Sequence, residues 1–293
     1  MLELPLLLLP AIPRYGAATV WLTAATAVAL LAWRIGSGVP MPGAEEREDA
    51  NLVAVRPGGM VRRWIVAHVD TKAQGHSMAG RLVAVWLLLL SVGFLTALAI
   101  VRWTSGAPVS EFLVSAATGM AVAAGTLCSR GNLRGRTAGA RDNGTGLLAA
   151  LTAADLSRDP SVGFVFTGAE EFGLVGARML VRSGHPMAGC EFINLDTITD
   201  RGTLSLVVHD GAGRHLAERL APPLGDYLGI PAAVRHLPMG ILVDSVPLAR
   251  AGGVAVTIGR LDWSVLRLIH TPRDRPEGLD TAAAEAVGRW ISG

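Results

Sequence analysis

Two long stretches without a charged residue place the strongest limit on how this chain can fold. Leu82 to Val101 holds twenty uncharged residues, and a second stretch, Phe112 to Cys128, follows after a short polar connection. A run of about 18 or more apolar residues is long enough to cross the hydrocarbon core of a bilayer. Neither stretch has the polar face that a surface helix of a soluble domain carries. We interpret them as a transmembrane hairpin; a pair of buried core helices is the alternative.

A third uncharged stretch, Tyr15 to Trp33, is also about long enough to span a bilayer. The chain is 51% apolar with a mean hydropathy of +0.42, and its net charge of +2 gives no general case for a nucleic-acid partner. We therefore predict an N-terminal membrane segment at 1–35 and a linker with the first part of a second, less apolar domain at 36–80. The hairpin at 81–128 is inserted in that domain, and its main part is 129–293.

Basic residues are distributed unevenly around the predicted membrane segments. One side carries Arg34, Arg62, Arg63, Lys72, Arg81, Arg130, Arg134 and Arg136, whereas the other side has Arg102 and Arg14. Loops rich in arginine and lysine stay on the cytoplasmic side of a membrane. The sequence thus predicts an integral protein of the cell membrane whose less apolar domain, with its main part at 129–293, is cytoplasmic.

The rest of the chain alternates between short β-branched runs and helical patterns, which is typical of an α/β protein. The predicted strands are 52–55, 64–69, 162–166, 191–194, 204–208, 232–236 and 254–258. The predicted helices are 147–156, 175–182, 214–228, 244–250 and 281–291. The fold class expected is α/β, with a mostly parallel mixed sheet between helix layers, plus about three transmembrane helices.

Acidic and imidazole side chains follow several of these strands, at the edge where the site of a parallel sheet lies. They are His68, Asp70, Asp142, Glu170, Glu171, Asp196 and His270. Singly, each has an ordinary explanation, such as a helix N-cap for Asp142 or a solvated loop for the adjacent glutamates. Together they match the nitrogen and oxygen donors that zinc accepts. Two Zn²⁺ ions would balance three ligand carboxylates and a hydroxide, which leaves one carboxylate as a base.

Six sequence motifs occur in a fixed order along the chain. They are HVD at 68–70, GARDNGTG at 139–146, TGAEEFGLVGA at 167–177, INLD at 193–196, VDSVPLARAGGVAV at 243–256 and HTPRD at 270–274. This set resembles the co-catalytic di-zinc exopeptidases of metallopeptidase family twenty-eight, which includes bacterial leucyl aminopeptidases. The resemblance covers about residues 50–75 and 130–293, and the hydrophobic hairpin stands where soluble relatives have a short loop.

The resemblance implies a role for each motif residue. His68 and Asp196 would bind one zinc, Glu171 and His270 the other, and Asp142 would bridge the two. Glu170 would be the general base, moving a proton from the metal-bridging water to the leaving amine. Asp70 would accept a hydrogen bond from the imidazole of His68 and fix its tautomer. Cobalt or manganese could take the place of zinc.

The function implied is that of a membrane-anchored aminopeptidase that acts on peptides at the surface of a lipid bilayer. Three other functions remain open at this point. A carboxypeptidase would need a basic clamp, for which Arg141, Arg260 and Arg273 are candidates. A glutaminyl cyclase shares the fold but usually has an altered metal set. A non-catalytic membrane scaffold would typically have lost ligands that this sequence retains.

Overall fold

The computed structural model describes residues 48–129, 133, 135–184, 187–238 and 240–293, together with the single residues 19, 22, 26, 30 and 33. The described residues form two compact units, one of long apolar helices and one built on a β-sheet. Most of the predicted N-terminal span Tyr15–Trp33 and the linker at 36–47 lie outside the described residues. The five residues described within that span are all helical.

Two helices of the first unit lie in the continuously described part of the chain, α1 (Met78–Ser105) and α2 (Glu111–Ser129). By length and composition, both helices are apolar enough to cross a membrane. Only 22% and 28% of their most apolar windows are buried, which disfavours the alternative of core helices. The two helices pack through Leu95 and Ala99 against Val114 and Ala117.

The second unit contains seven strands and six helices among the described residues. In chain order they are β1 (Leu52–Ala54), β2 (Arg63–His68), α3 (Thr145–Leu156), β3 (Val162–Thr167), α4 (Val175–Arg182), β4 (Glu191–Ile198), β5 (Thr203–Val208), α5 (Gly211–Leu228), β6 (Ala232–His236), α6 (Ser245–Arg250), β7 (Val254–Leu261), α7 (Trp263–Leu266) and α8 (Ala282–Ser292). A wide helical turn, Ala140–Gly144, leads into α3.

The seven strands form one mixed sheet with the order β1-β3-β2-β4-β7-β5-β6. Strands β3, β2, β4 and β7 are parallel to their neighbours within this group. Strand β1 is antiparallel to β3 at one edge, and β5 is antiparallel to β7 while β6 follows β5 in parallel. The carboxyl ends of the four central strands therefore lie at one edge of the sheet, as the sequence predicted.

Helices cover both faces of the sheet because the central strands are apolar on both faces. Ile65 of β2 lies in a core cluster with residues of α3, α5 and α8. The next residue, Val66, lies in a second cluster with Leu180 of α4 and Leu248 of α6. Successive side chains of a strand point to opposite faces, so these two clusters are the two helix layers. The predicted sheet between helix layers is confirmed.

Two of the predicted element boundaries differ from the structure near the polar residues. Strand β4 continues to Ile198, so Asp196 lies within the strand and not after it. The pairing of β4 with β7 shifts register between Leu195 and Ile198, which is where Asp196 sits. Asp142 does not begin a helix; its backbone is extended within the turn Ala140–Gly144, and α3 begins at Thr145.

Candidate metal centre

The central strands bring the predicted site residues to one edge of the sheet. His68 is the last residue of β2, which lies between β3 and β4. Glu170 and Glu171 follow the end of β3, and Asp196 lies on β4. The turn before α3 adds Asp142. His270, from the loop after α7, also reaches this position.

Two groups of three side chains meet here, and they share one carboxylate. The first contains His68, Asp142 and Asp196, and the second contains Asp142, Glu171 and His270. Within each group, the donor atoms lie within 4.8 Å of one another. All five residues that the sequence predicted as metal ligands are therefore adjacent.

Asp142 occupies the centre of the arrangement because its two oxygens face different histidines. Its Oδ1 lies 3.3 Å from Nε2 of His68, and its Oδ2 lies 3.2 Å from Nε2 of His270. The same Nε2 atom of His270 is 3.2 Å from Oε2 of Glu171. Both imidazoles thus present Nε2 to carboxylate oxygens, which is how histidine and a shared carboxylate surround neighbouring cations.

The charges of these groups strongly perturb one another. Burial lowers the pKa of His68, but the carboxylates of Glu170, Asp142 and Asp70 outweigh burial and raise it well above 6.5. Burial also lowers the pKa of His270, yet hydrogen bonds to Asp142 and Glu171 raise it to about 9. Burial would raise the pKa of Asp142, but the two histidines hold it below its ordinary value. The carboxylates therefore draw positive charge to the histidine positions.

Other carboxyl groups in the same place have raised pKa values because they are buried beside like charges. Burial, with the charge of Asp142, raises the pKa of Asp196 to about 6. Burial also raises the pKa of Glu170 well above 4.5; His68 opposes this effect, and Asp244 and Asp196 add to it. Bound cations would stabilise the charged forms of these carboxylates. A raised glutamate pKa also suits a general base that works near neutral pH.

The residues present fit divalent metal ions. The Oε1 atom of Glu171 is buried and has no hydrogen-bond partner among the described residues. Its lone pairs are therefore available to a metal ion. Nitrogen and carboxylate oxygen donors suit zinc, and a carboxylate shared by both groups would reduce the repulsion between two cations if both groups were filled. Each three-residue group could hold a metal ion.

Backbone conformation singles out the same region. The four non-glycine residues with positive φ in the described part of the chain are Ala169, Leu174, Thr197 and His270. Ala169 precedes Glu170, Thr197 follows Asp196, and His270 belongs to the site itself. A positive φ is energetically costly for a residue other than glycine. Such residues therefore occur mostly where the direction of a side chain matters more than local stability.

Asp70 and Asp274 hold the backbone of two loops that carry site residues. Asp70 accepts hydrogen bonds from the backbone N–H groups of Glu170 and Glu171, at 2.9 and 3.0 Å. Asp274 likewise accepts from the backbone N–H groups of Arg141 and Asp142, at 2.9 and 3.1 Å. Each carboxylate thereby fixes two consecutive peptide groups beside a candidate ligand.

The contact of Asp70 with His68 differs in detail from the sequence-based interpretation. The Nδ1 atom of His68 lies 3.0 Å from the backbone oxygen of Asp70 and 3.6 Å from its carboxylate. The nearest acceptor for Nδ1 is therefore the main chain, and the carboxylate contributes mainly charge. In the neutral imidazole, either contact favours the tautomer that carries its hydrogen on Nδ1 and leaves Nε2 unprotonated.

Asn143 ties the Asp142 turn to β4 and was not identified from the sequence. Its side chain donates to the backbone oxygen of Leu195 at 2.9 Å and accepts from the N–H groups of Gly146 and Thr197. A Cβ atom on Gly146 would lie 2.1 Å from Oδ1 of Asn143, so only glycine fits at that position. The only available signal was the position of Asn143 directly after Asp142 in the GARDNGTG motif.

Two of the three arginines considered as a clamp for a substrate carboxylate donate hydrogen bonds within the chain. Arg141 donates to Asp274 and to the backbone oxygen of Arg275, and Arg273 donates to the backbone oxygen of Arg267. Arg260 lies on β7, and its Nε is buried without a hydrogen-bond partner among the described residues. Two of the three candidates are therefore already occupied.

A protein-family model described as peptidase family M28 matches residues 118–293, which is more than half of the chain. A comparison with curated proteins found no match.

Solved structures with the same fold include two proteins of Legionella pneumophila. The LapA aminopeptidase is 17% identical with a TM-score of 0.53, and LapB is 15% identical with a TM-score of 0.52; each alignment covers 83% of this chain and 54% of the other chain. The glutaminyl cyclase of Bacteroides thetaiotaomicron bound to N-acetylhistamine is 15% identical with a TM-score of 0.51, over 82% of this chain and 75% of that one. The present chain thus spans about half the length of the Legionella proteins, and at these identities the likeness concerns the fold.

Proposed function

Because the chain belongs to peptidase family M28, we propose that it is a zinc-dependent aminopeptidase that removes N-terminal residues from peptides. One observation carries the proposal: two groups of metal-donor side chains share Asp142, and the buried carboxylate of Glu170 lies among them. The similarity in fold to the LapA aminopeptidase is consistent with this assignment.

The proposed ligand assignment follows the two groups. His68 and Asp196 hold one Zn²⁺, Glu171 and His270 hold a second, and Asp142 contacts both. Cobalt and manganese accept the same donors and are alternatives to zinc. When bound, such ions polarise the carbonyl of the scissile peptide bond and make water more acidic.

Glu170 is the proposed general base. It takes a proton from the attacking water and delivers it to the nitrogen of the departing amine, so that one carboxyl group serves both halves of hydrolysis. Its N–H group is fixed by Asp70, which sets the direction of the adjacent side chains. Asp70 is thus a positioning residue for the base as well as a neighbour of His68.

The charge of the site favours the N-terminal end of a peptide over the C-terminal end. The carboxylates of Glu170 and Asp244, which are not among the proposed ligands, would attract an N-terminal ammonium group. A C-terminal carboxylate would need a cationic partner; Arg141 and Arg273 already donate hydrogen bonds within the chain, which leaves Arg260 as the remaining candidate. This difference supports an aminopeptidase more strongly than a carboxypeptidase.

For the whole chain we propose a membrane-anchored enzyme, with an N-terminal membrane segment at 1–35 and a linker with the first part of the catalytic domain at 36–80. A transmembrane hairpin at 81–128 interrupts the catalytic domain, whose main part is 129–293 and lies in the cytoplasm. The two apolar helices support this arrangement on length and composition. An alkaline phosphatase fusion after Gly293 is expected to be inactive, and strong periplasmic activity would overturn the orientation.

Glu170→Gln tests the proposed mechanism. The variant keeps every proposed ligand but removes the base, so zinc binding should persist while kcat for an aminoacyl-p-nitroanilide falls by about a hundredfold to ten-thousandfold. Glu277→Gln, in an exposed loop, is the matched control and should behave as wild type. Full activity of Glu170→Gln would rule out this role.

A second candidate function is cyclisation of N-terminal glutamine, which the comparable fold similarity of the Bacteroides glutaminyl cyclase favours. The two activities are separated by a peptide with N-terminal glutamine. Hydrolysis releases free glutamine, whereas cyclisation releases ammonia and leaves the peptide intact but blocked. Analysis of the products by mass spectrometry decides between them.

A further inference from the structure

Lys72 is the single lysine of the chain, and its side chain is buried beside the candidate metal centre. Its Nζ lies 2.9 Å from Oε2 of Glu171 and 2.8 Å from the backbone oxygen of the same residue. The side chains of this ion pair are only 6% and 5% exposed. A buried lysine is rare because its charge must be compensated, so the contact with Glu171 is a defined part of the site.

The ammonium group of Lys72 acts on one of the two candidate metal positions. The Oε2 atom that it contacts is also 3.2 Å from Nε2 of His270, so the cation and the imidazole face the same oxygen. The other oxygen of Glu171, Oε1, has no hydrogen-bond partner in the described part of the chain. Lys72 therefore engages one of the two carboxylate oxygens that could bind an ion.

The candidate metal position formed by His68, Asp142 and Asp196 is surrounded by further negative charge. His68 lies 3.6 Å from the carboxylate of Asp70, and the buried carboxylates of Glu170 and Asp244 act on the same imidazole. These neighbours add negative charge around His68 and Asp196, while Lys72 adds positive charge beside Glu171. A divalent cation is repelled by a nearby ammonium group and attracted by nearby carboxylates.

We propose that Lys72 makes the two metal positions unequal. An ion held by Asp142, Glu171 and His270 binds more weakly and exchanges more readily than an ion held by His68, Asp142 and Asp196. Lys72 thus supplies part of the positive charge that a second ion would otherwise provide, and it competes with that ion for Glu171. The inference rests on the proposed two-metal site.

Zinc binding to the metal-free, detergent-purified full chain tests this proposal. Free zinc is set with chelator buffers, and bound zinc is measured by mass spectrometry. The wild type should show two classes of site whose affinities differ by about tenfold or more. His270→Ala should remove the weaker class, and His68→Ala should remove the tighter one.

Lys72→Met and Lys72→Gln should tighten the weaker class by about tenfold, because the repelling charge is lost. Lys72→Arg keeps a cation and should preserve most of the difference. Arg63→Met is the matched control: it removes a cation paired with Glu191 at the other end of β2, and it should leave both affinities unchanged.

Two results would overturn the role of Lys72: equal zinc affinities in the wild type, or neutral variants that leave the difference intact. The wild-type measurement decides the first point even where a variant does not fold. A wild-type protein that binds no zinc at buffered concentrations would instead contradict the proposed function, so the two failures are distinguishable.

Discussion

The carboxylate of Asp274 accepts a 3.1 Å hydrogen bond from the backbone N–H of Asp142, the residue whose two oxygens face both site histidines. Asp274 follows His270 by four residues and also accepts from the backbone N–H of Arg141. One side chain thus connects the loop that carries His270 to the turn that carries Asp142. The relative position of two proposed ligands depends on this connection.

Asp274→Asn should lower zinc affinity by about tenfold to a hundredfold, the usual effect of losing a group that orients a metal ligand. The carboxamide retains only one oxygen for the two backbone donors and loses the charge that pairs with Arg141. Zinc competition with a chelator measures the change. Asp226→Asn, on an exposed position of α5, is the control. Wild-type affinity in Asp274→Asn would contradict the role given to this side chain.

Gly146→Ala should destabilise the second unit, which is built on the β-sheet, by about 1–3 kcal/mol, the usual range for overpacking a filled core. The added Cβ would lie 2.1 Å from Oδ1 of Asn143 and 2.4 Å from the backbone oxygen of Leu195. Urea unfolding followed by tryptophan fluorescence measures the effect. In Gly211→Ala the added Cβ meets nothing within 4 Å, so this variant should unfold as wild type does. Equal stability of both variants would refute the close packing around Asn143.

The ion pairs of Glu191, the first residue of β4, should make the stability of the folded protein depend on pH. Burial would raise its pKa, but Arg63 and Arg219 together lower it below the ordinary value of 4.5. Because the pKa is lower in the folded protein, the ion pairs stabilise fully above about pH 4.5. This stabilisation is lost as pH falls through the folded-state pKa.

The free energy of unfolding of the wild type should therefore exceed that of Glu191→Gln by about 1 kcal/mol at neutral pH, a small value because the arginines are partly exposed. The difference should shrink toward zero in acid. Both proteins are compared free of metal, so that loss of zinc does not contribute. A difference that stays constant or grows in acid would contradict the assignment.

The sequence was sufficient for the family and for the general architecture. Alternating apolar runs and helical patterns predicted each of the seven strands, because buried parallel strands leave a distinct signal between turns. The order of six motifs identified peptidase family M28, which the family comparison confirms. The ligand assignment and the orientation in the membrane stay predictions.

The supporting contacts of the site could not be predicted, because they join residues that are distant in sequence. Lys72 and Glu171 are 99 positions apart, and Asp142 and Asp274 are 132 positions apart. No local spacing reveals such pairs. They depend on how the segment after β2, the turn before α3 and the loop that carries His270 come together at the carboxyl ends of the central strands. Asp196 was placed after its strand for a related reason: the register shift near Leu195 depends on pairing with β7.

We propose that this site hydrolyses the first peptide bond of a substrate with a free amine. The most direct test is hydrolysis of a panel of aminoacyl-p-nitroanilides by detergent-purified protein loaded with zinc, each substrate offered with a free or an acetylated amine. We predict cleavage of the free-amine substrates only, and loss of that activity after chelation. Failure to cleave any substrate while zinc is bound, or equal cleavage of the acetylated forms, would contradict the account.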